Sequence, residues 1–175
     1  MKKLITIFTL AVSTFTFSQN STTLKSNDIV INPVALVLGA VNVEYERIIS
    51  ENSGIGVTTS FLLDDYIIDD NNGFSITPYY NYYFGKKRAN GFYIGGYCSI
   101  NSGDVEKSYY VSSQYGGYTM YTTEKETNFG VGFKFGGKWV VKNDIVLEIG
   151  TRLGRNFGGE NKVNTTGMLG IGKRF

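Results

Sequence analysis

Seven charged side chains are spaced so that they could do chemistry together. Glu44 and Glu46 are two residues apart, Lys134 and Lys138 four, and Glu148 and Arg152 four, while Arg174 lies next to the last residue. On a β-strand, even spacing puts side chains on one face, so each pair points the same way. Two carboxylates on one face could act as an acid–base pair, as in carboxylate hydrolases, or as a gate. Facing lysines and arginines could instead neutralise them, giving an ion-pair network that fills an interior and fixes register. Other chemistry is sparse. Histidine is absent, which removes the commonest general base and transition-metal ligand. Cys98 is the single cysteine, so no intrachain disulfide and no cysteine metal cluster can form. No metal and no cofactor is expected.

The elements that would carry these residues are strands. Residues 128–141, NFGVGFKFGGKWVV, hold Phe129, Val131, Phe133, Phe135, Trp139 and Val141 on one parity. The other parity holds Asn128, Lys134, Lys138 and glycines, a two-residue period. The run exceeds the 9–11 residues a tilted strand needs to cross a bilayer. Segments 27–38, 41–49, 55–63, 74–85, 91–101, 145–154 and 163–175 complete about eight strands by the same reading. In the last, Leu169, Ile171 and Phe175 share the apolar parity. Pro78 weakens the fourth, since proline donates no ladder hydrogen bond.

The connections alternate in length. Those at 51–54, 86–90 and 142–144 are short, and those at 64–73, 102–127 and 155–162 are long; the turn at Gly39 breaks the rule. Short turns at one end and long loops at the other match a barrel with both termini in the periplasm. Segment 102–127 carries Tyr109, Tyr110, Tyr115, Tyr118 and Tyr121 around Gly116-Gly117, which predicts a long extracellular hairpin rather than a loose loop. These tyrosines are candidates for surface contact, or for packing on one another. Asp64, Asp65, Asp69, Asp70, Asn71 and Asn72 could hold calcium or bridging cations, but their spacing matches no defined calcium loop and reads as a solvated loop. GMLGIGK at 167–173 has phosphate-loop spacing, yet Arg174 replaces the hydroxyl and no helix follows.

Residues 1–18 read as a secretory signal peptide, with Lys2 and Lys3 before an apolar run too short to span, and 19–26 as a periplasmic lead-in to a barrel over 27–175. Without Lys2 and Lys3, basic and acidic groups balance, so the basic surplus of a nucleic-acid binder is missing. Alternation alone does not say which face is inside. A soluble lipocalin-like binding barrel would turn the phenylalanines inward. Glycines beside the charges, and aromatics near strand ends at Tyr45, Tyr82, Phe84, Phe92 and Trp139, favour a membrane barrel with an interfacial girdle.

The signal peptide, the strand count and the closing LGIGKRF resemble small Gram-negative outer-membrane barrels of the OmpA-transmembrane-domain and OmpX type. Asn32-Pro33 and the stretch Glu44-Tyr45-Glu46-Arg47 are similar to an uncharacterised family of such barrels. The resemblance implies an all-β, eight-stranded antiparallel up-and-down transmembrane barrel, monomeric and in the outer membrane. It implies that Leu169, Ile171 and Phe175 are read by the barrel-assembly machinery, and that lipid and lipopolysaccharide surround the body. With nothing after Phe175 for a peptidoglycan-binding domain, that OmpA role is not implied. The expected function is non-enzymatic: envelope integrity, with loops for adhesion or contact with an unknown extracellular ligand. A lipid-modifying enzyme, a narrow pore and the lipocalin-like barrel stay open as alternatives.

Overall fold

The computed structural model describes residues 24–63, 73–113, 116–158 and 162–175. The expected leader, the acidic run 64–72 and Tyr115 lie outside them. Alternation builds strands β1 (Asn27–Ile31), β2 (Ala40–Ile48), β3 (Ser53–Leu62), β4 (Phe74–Tyr83), β5 (Gly91–Ser113), β6 (Gly116–Val140), β7 (Ile145–Phe157) and β8 (Val163–Arg174). Each pairs antiparallel with its neighbours in sequence, and β1 pairs with β8 from Asp28↔Arg174 to Ile31↔Ile171, closing the barrel. Closure removes every sheet edge within the body.

Four boundaries differ from the sequence expectation. The first strand stops at Ile31, because Asn32 caps a one-turn helix, α1 (Pro33–Val37). The Asn32 side-chain oxygen accepts from the amides of Val34 and Ala35 at 3.1 Å each, and Pro33 takes the position where a missing N–H costs nothing. Gly39, at φ +86°, then returns the chain into β2, so the short turn at this end is a helix and a turn. Strands β5 and β6 run far beyond the barrel, with ladder pairs up to Ser113↔Gly116. Most of segment 102–127 is therefore paired strand, one two-stranded ribbon about 40 Å long at ~3.3 Å per residue, as the hairpin expectation has it. Last, β7 continues through Phe157 instead of ending at Gly154.

The apolar parity faces outward. Phe133, Ile149 and Leu169 are 67%, 55% and 49% exposed, whereas Lys134 and Lys138 are 2% and 0% exposed. This is the reverse of a lipocalin, whose apolar side chains line the cavity. Aromatic residues ring the outer wall at two heights: Tyr45, Tyr82, Phe84, Phe92 and Trp139 toward the short turns, and Phe61, Phe74, Phe129 and Phe157 toward the hairpin. Phe92 meets Trp139 edge-on at 5.9 Å, and Phe61 meets Phe74 at 5.0 Å. From Phe129 to Trp139 is about 33 Å of strand, which a tilt of about 40° projects to roughly 25 Å, the height of an outer-membrane apolar band.

Candidate functional site

The interior is built by alternation along β6 and β7. Inward pairs run Gly132↔Gly154, Lys134↔Arg152, Gly136↔Gly150 and Lys138↔Glu148, so glycine pairs separate charged ones. Each glycine pair leaves room for a tyrosine from β5. The Tyr93 hydroxyl occupies the space a Cβ on Gly136 or Gly150 would need, and the Tyr97 hydroxyl lies beside Gly154. A lysine opposite an arginine would repel it, so both need partners from across the barrel.

Those partners come from β1, β2 and β7. Lys134 Nζ lies 2.7 Å from Glu44 Oε2 and 3.1 Å from Glu148 Oε1. Lys138 Nζ lies 2.7 Å from Glu46 and 3.3 Å from Glu148, with Asp28 and Glu44 at 3.7 Å. Arg174 grips Asp28 with two nitrogens, at 2.7 and 2.9 Å, across the closing seam. Tyr83 donates to Glu46 at 2.6 Å, Tyr79 to Glu46 at 3.1 Å and Tyr93 to Glu148 at 2.7 Å. The Tyr79 ring also faces Lys134 at 4.0 Å. Each tyrosine thus donates to a carboxylate, and its body walls the lumen. Arg152 stands over the Tyr97 ring at 5.7 Å, with no Asp or Glu carboxylate within 4.0 Å among the described residues.

All seven charged residues singled out from the sequence are buried inside. Six join one chain of contacts, and Arg152 sits at its margin on Tyr97. Asp28 and the four inward tyrosines were not singled out. Tyr79, Tyr83, Tyr93 and Tyr97 share the parity of Asn81 and Gly95, so alternation was the signal that could have placed them inside. Asp28 could be linked to Arg174 only by knowing that β1 meets β8.

The lumen is closed. Four carboxylates (Asp28, Glu44, Glu46, Glu148) face four cations (Lys134, Lys138, Arg152, Arg174), leaving it neutral. A cavity of about 10 Å³ remains among Asn42, Glu44, Thr58, Lys134, Arg152 and Thr166, room for about one water. Toward the hairpin the filling becomes uncharged. Asn164 donates to Ser99 and Asn156 at 3.1 and 3.0 Å, and Ser75 to Asn101 at 2.7 Å. At the other end, turn 85–90 folds under the mouth: Ala89 is buried against Ile48, Tyr83 and Tyr93, and Arg174 holds the carbonyls of Arg88 and Ala89 at 2.8 and 2.9 Å. Ala89, at φ +40°, donates its amide to the Glu51 carbonyl. The large hollow, about 780 Å³, is instead an open groove on the outer wall, where Pro78 interrupts the β4–β5 ladder and Gly96 bears no side chain.

A closed, even-numbered antiparallel barrel with an apolar belt and a charged interior has a known architecture. It is that of a small outer-membrane barrel. No protein-family model matches the chain, and no curated protein does. Among solved structures it is similar to the N-terminal β-barrel domain of Pseudomonas aeruginosa OprF, at 14% identity over 86% of this chain and 98% of that one, with a TM-score of 0.43. It is also similar to the Yersinia pestis outer membrane protein Ail, at 15% identity over 87% of this chain and all of the other, with a TM-score of 0.44.

The remaining candidates sit on the outside. Leu169 and Ile171 face outward on β8, and Phe175 follows it, 39% exposed. The hairpin tyrosines divide between its faces: Tyr109↔Met120 and Val111↔Tyr118 on one, Tyr110↔Thr119 and Ser108↔Tyr121 on the other. They form two half-aromatic faces rather than a single patch. Lys107 bonds Glu124 at 2.7 Å on the ribbon. That hydrogen bond, with the mutual attraction of the charges, raises the Lys107 pKa and lowers that of Glu124.

Proposed function

We propose that this chain is a non-enzymatic β-barrel of a Gram-negative outer membrane, a monomer whose body adds to envelope integrity and whose β5–β6 hairpin makes contacts outside the cell. The observation that carries this reading is the inside-out distribution of side chains. An apolar belt of bilayer height surrounds a neutral, filled lumen, and one paired ribbon projects well beyond it. A filled lumen leaves no conduit for a pore and no cleft that would admit a lipid to Glu44 and Glu46, so binding falls to the ends. The ribbon's exposed Tyr110, Tyr118 and Tyr121 supply large contact area at low entropic cost. In this reading lipid and lipopolysaccharide surround the belt, and β8 with Phe175 is the segment engaged by the assembly machinery.

Envelope fractionation followed by gels with and without boiling tests the barrel; a heat-dependent shift in the outer-membrane fraction is expected. Deleting residues 107–125 then tests the hairpin. Loss of binding to host cells or matrix proteins with the shift intact supports the contact role. Full binding after the deletion would refute it, and measurable conductance or lipid turnover would replace the reading with a pore or an enzyme.

A further inference from the structure

The three regions of the molecule carry different charge. The lumen is neutral, but among the described residues the short-turn end bears Lys25, Arg47, Lys86, Lys87, Arg88, Lys142 and Lys173 against Glu51 and Asp144. The hairpin bears Asp104, Glu106, Glu124 and Glu126 against Lys107 and Lys125. The basic surplus is therefore confined to one end.

Two of these cations stand apart because of the face they occupy. Arg47 continues the outward parity of Val41, Val43 and Tyr45, and Lys173 that of Leu169 and Ile171. Both are exposed on the wall that bears the apolar belt, beside the aromatic ring of the short-turn end. They flank β1: Arg47 is in register with Asn27, and Lys173 with Ile29, whose other neighbour is Tyr45. Two strand spacings and a two-residue offset, about 12 Å in all, separate them, and long side chains can converge over that gap. The Tyr45 hydroxyl and the Arg47 guanidinium both reach the Asn27 side-chain oxygen, at 2.8 and 3.4 Å, which marks the level where the wall turns polar. Among the described residues, neither Arg47 nor Lys173 has an Asp or Glu carboxylate within 4.0 Å. Lys25, by contrast, is paired with Asp144, and Arg88 with Glu51. A cation on a lipid-facing wall with no Asp or Glu partner reaches toward the headgroup layer.

We propose that Arg47 and Lys173 form a binding site for the phosphate of an anionic phospholipid headgroup, in the leaflet that meets the short-turn end. The planar guanidinium suits two phosphate oxygens and the ammonium a third, while the phenol of Tyr45 lies alongside. The site rests on the membrane reading above. It gives that reading a lipid preference at one end, with the acidic hairpin at the other.

Trp139 is the only tryptophan and faces outward at the same rim, linked through Leu147 to Ile171 of β8. It can report the lipids around it. The chain would be folded into phosphatidylcholine vesicles containing a minor fraction of either brominated phosphatidylglycerol or brominated phosphatidylcholine, and quenching of Trp139 compared. The expected result is a roughly two- to tenfold preference for the anionic lipid, the range that two exposed charge pairs support. R47Q/K173Q should bring that ratio close to one, and K86Q/K87Q, which removes equal charge from the turn under the mouth, should leave it in place. Equal quenching by both lipids in the wild type overturns the site. So does a ratio unchanged by R47Q/K173Q, or one lowered as much by K86Q/K87Q. The unboiled gel band is read in every sample. With that band present, a missing preference removes this site alone; without it, the membrane reading falls as well.

Discussion

Replacing Lys138 by methionine should be among the costliest single changes in this barrel. Its Nζ is fully buried, with Glu46 at 2.7 Å, Glu148 at 3.3 Å, and Asp28 and Glu44 at 3.7 Å. Methionine keeps the approximate volume and removes the charge, leaving four carboxylates to share three cations. Breaking a buried ionic group by removing one partner costs about 3–5 kcal/mol, because the remaining charge stays desolvated. At a urea slope of ~1–3 kcal/mol/M, the unfolding midpoint should fall by at least about 1 M. Glu46→Gln should cost less, since Lys138 retains three other carboxylates and Tyr83 can still donate to the amide oxygen. The double variant restores neutrality. It should therefore be more stable than the summed single losses imply, by roughly 2 kcal/mol, a coupling typical of groups in one network. Urea titration in lipid vesicles, followed by Trp139 fluorescence and by the unboiled gel band, measures all three. A Lys138→Met variant within about 0.5 kcal/mol of wild type, or additive losses, would refute the idea that these ion pairs hold the barrel.

Two further perturbations probe the seam and the hairpin. A Cβ on Gly172 would strike the Ile29 carbonyl and lie 2.7 Å from the Val30 Cα across the β1–β8 pairing, whereas one on Gly167 of the same strand meets nothing within 4 Å. Gly172→Ala should thus cost about 1–3 kcal/mol and reduce the folded gel band, with Gly167→Ala near wild type; equal behaviour would count against the seam as the tight point. For the hairpin, Glu124 has a lowered pKa in the folded ribbon, so its contribution is present above the ordinary glutamate value of 4.5 and lost as pH falls through the lowered one. Lys107 has a raised pKa, so its contribution is present below the ordinary 10.5 and lost only as pH rises through the raised value. Amide protection factors around residues 107–124 should be flat between about pH 6 and 9 and fall in acid, and a Glu124→Gln ribbon should lose that acid dependence.

Face assignment was legible in the sequence wherever polarity strictly alternates. From Phe129 to Gly136 every second residue differs in kind and Trp139 keeps the apolar parity, so the shared face of Lys134 and Lys138 follows from period alone. Alternation alone did not say which face is inside, because a lipocalin and a membrane barrel share the pattern with opposite sense; the glycines beside the charges and the aromatic strand ends favoured the membrane sense, and the buried lysines bear it out. Segment 33–37 defeated the strand reading because PVALV is apolar and β-branched, and the signal for a helix was a single capping Asn32 before a proline. The hairpin over 102–127 was read from its tyrosines and Gly116-Gly117, but the unbroken run of β5 and β6 into it was not legible from period. Beyond Asn101 and Asn128 both faces carry polar and aromatic residues, so no contrast of faces marks the period, and only cross-strand pairing keeps the ribbon extended. The tyrosines inside the barrel were masked by chemistry that suits an interface as well as a lumen, where each hydroxyl finds a glutamate.

A charged lumen is a costly way to fill a small barrel, since a leucine core of equal volume would avoid the desolvation cost. Its advantage lies in register. With apolar residues on both faces, a one-residue slip of any strand would exchange equivalent surfaces and meet little resistance. Here a slip of β6 would turn Lys134 and Lys138 out to lipid and bring Phe133 and Phe135 into the slots beside Tyr93 and Tyr97. Lys134, near the bilayer midplane, would cost about 2–4 kcal/mol and Lys138, next to the rim at Trp139, about 0–1, so that strand alone would oppose the slip by roughly 2–5 kcal/mol before any ion pair is counted. Glu44 and Glu46 on β2 and Arg174 on β8 impose the same condition on their own strands, and Arg174 does so at the seam where closure is completed. The network is therefore best understood as the device that admits one pairing of eight similar strands. A lumen held shut by its own charges also has none to offer a ligand, which is why the proposed contacts are assigned to the two ends.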